Sequence, residues 1–346
     1  MYKEGRIDIV KLMLLNGYND YTKGLETACK VGNIEIVKLM FEYDLNPFWG
    51  FLYACKGGHV AIVKFLLSLG ANDYNYGLYG ACEGGQLEIV NMLLSLGAND
   101  YNYGLYGACL GGHLELVKLM LFKGAKNYKI GFYNACMGGN IEIVKMFLSL
   151  GSYNLNEGLQ YSCASGNTAL VNMLLELGAN DYNKGLKYAC INGHYEIAKL
   201  MLSLGETDVE NALLQVCQRE NEYTEIVKLL IENGASYFFS FKFACEKGHK
   251  NIIDILINEG LANYNEGLIG ACNGKKTEIA KLMINFGANN YHDLKDGNLE
   301  LKILYERLTR EVITLPIKHE HPEYHLLKVY NKKVPDIDRL INKYLF

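Results

Sequence analysis

Apolar side chains recur along this chain in two alternating patterns. In the first, Leu78, Ala81 and Cys82 stand at i, i+3 and i+4, the spacing of a short helix with one buried face. In the second, His113–Leu121 (HLELVKLML) is apolar on two sides, as expected of a helix lying between neighbours on either hand. Glycine breaks such as Gly84-Gly85 and Gly111-Gly112 separate the first pattern from the second. A further glycine follows the second pattern, at Gly97, Gly124, Gly151, Gly178 and Gly205, where a helix C-terminus favours a left-handed residue. The chain therefore predicts helix, tight turn, helix, loop, and then the same again.

The recurrence is literal in places: LLSLGANDYNYGLYGAC begins at Leu66 and again at Leu93. Ten cysteines mark the register, at Cys29, Cys55, Cys82, Cys109, Cys136, Cys163, Cys190, Cys217, Cys245 and Cys272. Their spacing is 27 residues except for one interval of 26 and one of 28. Four positions before each Cys stands Leu or Phe, and one position before it stands Ala, with Ser162 and Val216 as exceptions. A period in this range belongs to solenoids, in which no two-helix unit buries its own apolar faces and stacking supplies the stability.

Length and composition fit that expectation. Half of the 346 residues are hydrophobic, enough for a long core, and three of the four prolines (Pro316, Pro322, Pro335) fall near the C-terminus. The net charge of −4 and the lack of a dense basic stripe argue against nucleic acid as the partner. No signal-like segment opens the chain, and no run approaches the roughly 20 apolar residues of a membrane span. We expect a monomer in the cytoplasm. The cysteines read as one small buried position rather than as disulfides, because repeats stacked at about 8–10 Å exceed the ~7 Å Cα separation that a bridge tolerates.

The repeated unit resembles the ankyrin repeat. Gly77-Leu78-Tyr79, Ala81-Cys82, Gly85, Glu88-Ile89-Val90, Leu93-Leu94 and Gly97-Ala98 stand where that family carries its T-P-L-H, A-A, G-H, V-V, L-L-L and G-A signals. The resemblance covers residues 5 to about 290, and the style of the repeats is most similar to the ankyrin arrays encoded by large DNA viruses of amoebae. It implies an all-α helix-turn-helix solenoid of about ten full repeats plus a leading half-repeat. Two departures stand out. The period of 27 is shorter than the family's 33, so NDYNYG between Ala71 and Leu78 leaves room for a tight turn and not for a β-hairpin. Tyr79, Tyr106 and Tyr133 replace the family's usual His.

Both ends depart from the pattern. The first repeat keeps only its second helix, from Gly5-Arg6-Ile7, so residues 1–20 form a half-repeat; either the natural chain starts earlier or this end frays. Residues 291–346 leave the repeat: Leu299–Arg310 and Asp336–Leu345 read as amphipathic helices of a divergent C-terminal cap. The alternative is a docking element that makes the protein a ubiquitin-ligase substrate adaptor, since Leu315-Pro316 is similar to the opening of F-box-like segments in viral ankyrin proteins.

Nothing in the sequence points to catalysis, a cofactor or a metal. His319, His321 and His325 have ligand-like spacing but no cysteine nearby, and read as a polar loop. Gly274–Thr277 (GKKT) lacks the preceding strand and frame of a phosphate loop. His59, His113, His194 and His249 share one repeat position, with Gln86 and Asn33 as substitutes, and read as turn and helix-start residues. The tyrosines offer more. Tyr74, Tyr101, Tyr128, Tyr182, Tyr264 and Tyr291 predict a stacked column beneath the loops or, alternatively, a recognition surface; Tyr76 and Tyr103 are expected to be more exposed.

As the family implies, the expected function is non-catalytic binding of a protein partner on the concave face. Opposite the buried stripe of the first helix lie the positions two before and one after each Cys. In the middle of the chain these are apolar: Leu110, Met137, Tyr161, Tyr188 and Ile191 are the candidate contact residues.

Overall fold

The computed structural model describes residues 21–41, 46–151, 153–205, 207–235, 238–260 and 262–288. The expected half-repeat, the C-terminal cap, the HEHPEYH histidines and Leu315-Pro316 lie outside these residues. Two compact bodies are present, residues 1–205 and 206–346. Among the described residues there are twenty helices and no strand.

In the longer body the helices come in pairs: α1 (Tyr21–Val31) with α2 (Ile34–Phe41), α3 (Phe48–Gly57) with α4 (Val60–Ser68), α5 (Tyr74–Glu83) with α6 (Leu87–Ser95), and α7 (Tyr101–Gly111) with α8 (Leu114–Lys123). Three more pairs follow: α9 (Tyr128–Met137) with α10 (Ile141–Leu150), α11 (Leu155–Ser165) with α12 (Thr168–Glu176), and α13 (Tyr182–Ile191) with α14 (Tyr195–Leu204). The shorter body holds α15 (Val209–Cys217) with α16 (Thr224–Glu232), α17 (Phe238–Lys247) with α18 (Lys250–Asn258), and α19 (Tyr264–Asn273) with α20 (Thr277–Asn285).

The i, i+3, i+4 stripe is the core. Leu78, Ala81 and Cys82 are fully buried, as are Leu105, Ala108 and Cys109 in the next repeat. All ten cysteines are free and buried. Second helices contribute Ile89, Val90 and Leu93, with no exposure, and their equivalents, which are likewise buried. Within each body successive first helices pack closely, whereas successive second helices touch much less.

Small residues make the close packing possible. A Cβ built on Gly107 would lie 2.3 Å from the Tyr79 backbone oxygen, and one on Gly80 would lie 2.7 Å from that of Leu52. The position two before each Cys thus faces the preceding first helix wherever it is glycine, and the expectation that it faces outward is corrected. A helical wheel drawn for one helix shows the side turned from its own partner; it does not show the flank that the next repeat covers.

The loops are shorter than expected, because Tyr74 and Tyr101 already belong to helices. Each such helix is capped by the preceding residue. Asp73 Oδ1 accepts from Tyr76 N at 2.9 Å, and Asp100 Oδ1 accepts from Tyr103 N at 3.0 Å. Across repeats, Asn75 Oδ1 accepts from both Asn99 N and Asp100 N, each at 2.9 Å. Asn102 holds Lys126 and Asn127 in the same way, as Asn156 does Asn180 and Asp181.

The left-handed glycine appears at Gly97, Gly124 and Gly178 (φ 103°, 111° and 102°) but not at Gly151 or Gly205, which are extended. In these two repeats the sequence has Ser152 or Glu206 where others carry Ala after the glycine. At the first of them the Tyr153 ring stacks on Phe132 with centroids 4.7 Å apart and meets Phe147 edge-on.

Candidate interaction surface

First-helix side chains six and three residues before the Cys and one after it mostly reach solvent, as do those two before it where the residue is not glycine. Their rows run from repeat to repeat. Lys56 Nζ lies 2.5 Å from Glu83 Oε1, which aligns the positions one after the Cys in α3 and α5. Tyr76 and Tyr103, six before the Cys in α5 and α7, stack with centroids 6.3 Å apart. Phe48 stacks on Tyr76 at 5.4 Å, Tyr79 on Tyr103 at 4.7 Å, and Tyr106 meets Tyr103 edge-on.

This column corrects the assignment of the tyrosines. The stack runs through Tyr76 and Tyr103, which are half-buried, and not through the Tyr74 series. Tyr264, of that series, packs locally against Phe286 and Phe241. Tyr128, another of that series, is the more exposed, at 39%. The sequence singles out Tyr76 and Tyr103 as more exposed and Tyr79 and Tyr106 as substitutes for His, but not their joint column, although i and i+3 tyrosines repeated 27 residues later carry its signal.

Of the sequence candidates, Met137 is 42% exposed and Leu110 is half-buried; they stand at equivalent places in α9 and α7. Tyr161 is half-buried against Tyr133, with centroids 5.5 Å apart. Tyr188 is half-buried, with Lys187 Nζ 5.9 Å from its ring centroid. Ile191 is only 8% exposed and belongs to the core. An aliphatic side chain buries where the neighbouring repeat leaves room, and the equivalent residue there is the small Ala164. Ile130, 39% exposed, joins the patch beside Tyr103 and Met137 in the pattern.

The electrostatics are lopsided. Burial pushes the Tyr79 phenol up to about 12, with Glu83 adding to the rise. Burial also raises Tyr103, helped by Tyr76, Asp73 and Asp100, and raises Tyr53, helped by Glu26. For Tyr106 burial raises the phenol while the bond from Asn127 Nδ2, at 2.6 Å, lowers it.

The shared histidine position has a different task. His59 Nε2 lies 3.1 Å from Lys30 O, His113 Nε2 3.2 Å from Glu83 O, and His194 Nε2 3.0 Å from Ala164 O. Asn140 and Asn167 bond back in the same way, to Cys109 O and Gly139 O. These residues tie each repeat to the open end of the preceding first helix, where carbonyls lack helical partners. Among the described residues no group of three or more His, Cys, Asp or Glu could hold a metal.

The profile of the family described as "Ankyrin repeats (3 copies)" matches residues 25–103, 105–185, 159–242 and 186–266, more than half of the chain. The chain belongs to the ankyrin repeat family. Ankyrin repeats serve generally as protein–protein interaction scaffolds, and typically not as enzymes. Among solved structures the array is similar to the human ASB11 ankyrin repeat domain at 24% identity, with 51% of this chain and 96% of that chain covered and a TM-score of 0.32. No curated protein matches it. No helix of the described residues is long and apolar enough to cross a membrane.

Proposed function

We propose that this ankyrin array is a non-catalytic scaffold that binds a partner protein on the first-helix face of its longer body. The supporting observation is the set of tyrosine and aliphatic side chains at equivalent positions on α5, α7 and α9: Tyr76, Tyr79, Tyr103 and Tyr106, joined by ring contacts, with Leu110, Ile130 and Met137. Glu83, the charged residue at these positions in the three helices, is already paired with Lys56. A patch poor in charge and rich in Tyr and Met has the composition of an interface core. Leu110, Met137, Tyr161 and Tyr188 remain candidate contacts, with Ile191 supporting them from the core. Ten unpaired thiols favour a reducing, cytoplasmic setting.

Affinity capture with three baits tests this: the intact chain, the chain with Ile130→Arg and Met137→Arg, and the chain ending at Asn290. Both substituted residues are well exposed, so circular dichroism should be unchanged. A partner retained by the intact chain and lost with the arginine pair is the expected result; equal capture by both overturns the reading. Loss of a ligase component with the truncation alone would support the adaptor alternative, which requires a second partner on residues 291–346.

A further inference from the structure

The duplicated sequence sets two copies of one surface side by side. Asp73, Tyr76 and Tyr79 in one repeat recur as Asp100, Tyr103 and Tyr106 in the next. Ring faces in the column are covered by one another, so the tyrosines turn edges and hydroxyls outward. Of these hydroxyls only that of Tyr106 is engaged within the described residues, by Asn127.

Charge in the two duplicated repeats is net negative, with Lys126 and Lys129 following only in the next repeat. From Phe48 to Gly111 the first helices and their caps carry Lys56, Asp73, Glu83 and Asp100, and Lys56 is spent on Glu83. Asp73 and Asp100 remain, in the same place in adjacent repeats, and neither has a cationic partner among the described residues. Each uses Oδ1 for its cap and leaves a second oxygen. The helix end beneath offsets about half a charge, so each site stays net negative. The same carboxylates raise the Tyr103 phenol, which marks them as close to the column.

We propose that the partner's bound segment is extended and carries arginine or lysine at every third position, one cation beside Asp73 and Tyr76 and the next beside Asp100 and Tyr103. This rests on the first-helix face being the binding surface. The spacing follows from two lengths. Packed helices in neighbouring repeats lie about 8–10 Å apart, and an extended polyproline-II chain, in which every third side chain returns to one face, advances about 3.1 Å per residue. Three residues of ligand therefore span one repeat. Guanidinium, with five N–H donors, can serve a carboxylate oxygen and a phenol oxygen together.

The test uses the full chain and a labelled peptide with four Gly-Ser-Arg repeats, followed by fluorescence anisotropy. Comparison peptides replace Arg by citrulline, or place the same arginines at every second residue. The Gly-Ser-Arg peptide should bind at least tenfold more tightly than either. Asp73→Asn with Asp100→Asn should remove most of that preference without loss of helix content, because Asn127, Asn154 and Asn263 already cap equivalent helices. Equal binding of the citrulline peptide, a preference that survives the double substitution, or no binding of the arginine peptide at millimolar concentration would each overturn the proposal. Equal binding at two-residue spacing would overturn the register. If Ile130→Arg with Met137→Arg abolishes partner capture while the Asn pair leaves it unchanged, the recognition face stands and its basic ligand does not.

Discussion

His113 Nε2 lies 3.2 Å from the carbonyl oxygen of Glu83, thirty residues earlier in the chain. The ring closes the C-terminal end of α5 from the repeat that follows, and it also packs where a Cβ on Gly85 would lie, 2.4 Å from its Cε1. His113→Ala should cost about 1 kcal/mol, the net value of one such bond. His113→Asn should recover most of it, since Asn140 makes the same reach one repeat later. Native-state hydrogen exchange of the α5 and α7 amides resolves the effect locally, which suits an array that need not unfold in one step. Equal protection in the Ala and Asn variants would sink the idea.

Two glycines of α7 separate close backbone approach from simple crowding. A Cβ at Gly107 meets the Tyr79 carbonyl oxygen, whereas one at Gly104 meets the Met120 sulfur at 2.6 Å. A thioether can rotate away and a helix backbone cannot. Gly107→Ala should therefore destabilise by about 3 kcal/mol and Gly104→Ala by about 1 kcal/mol. Urea denaturation of the two variants gives the ranking; the reverse order would mean that the first helices can slide apart.

How much of this was legible in the chain depends on which neighbours decide each position. Leu78, Ala81 and Cys82 face their own repeat's second helix and the stack behind it, so a period of 3.6 within one helix was enough to find them. Gly80 and Gly107 are set by the adjacent repeat, and the sequence of one helix is silent on which flank that repeat covers. The same blindness placed Ile191 outside and left Tyr76 and Tyr103 as exposed side chains and not as a stacked column. Their repetition was visible, but the helix starting at Tyr74 was read as loop, which turned those side chains off the face. The histidine column was legible as a helix-start position, and His59, His113, His194 and His249 do stand at the N-caps of their second helices. Their bonds to the preceding repeat were not legible, because those acceptors lie about thirty residues earlier.

Lys275 occupies the turn position that is glycine at Gly58, Gly85, Gly112 and Gly139, and it shares their left-handed backbone with φ of 56°. An L side chain there costs about 1–2 kcal/mol, while glycine loses somewhat more backbone entropy on folding. Lys275→Gly should stabilise the shorter body by about 1 kcal/mol. Slower exchange of the α19 and α20 amides, with the rest unchanged, is the expected observation. Faster exchange would show that contacts of the lysine side chain outweigh the strain.

The thiol column makes the array sensitive to alkali. Burial pushes Cys82, Cys136, Cys163 and Cys190 up to about 12 from the ordinary value of 9.0, and Cys109 higher still. Below pH 9 folded and unfolded chains hold these protons equally, so the full stability is present. Between about pH 9 and 12 the unfolded chain sheds protons that the folded chain keeps, and unfolding gains about 1.4 kcal/mol per pH unit for each such thiol. Tyr79, also raised to about 12, acts with the same sign. The urea midpoint should hold steady to pH 9 and then fall steeply. Cys82→Ala, Cys136→Ala and Cys163→Ala together should lower the midpoint at pH 8, through small cavities, yet make the alkaline fall shallower. An equally steep fall in the triple variant would mean that these thiols ionise in the folded array as readily as in the unfolded chain.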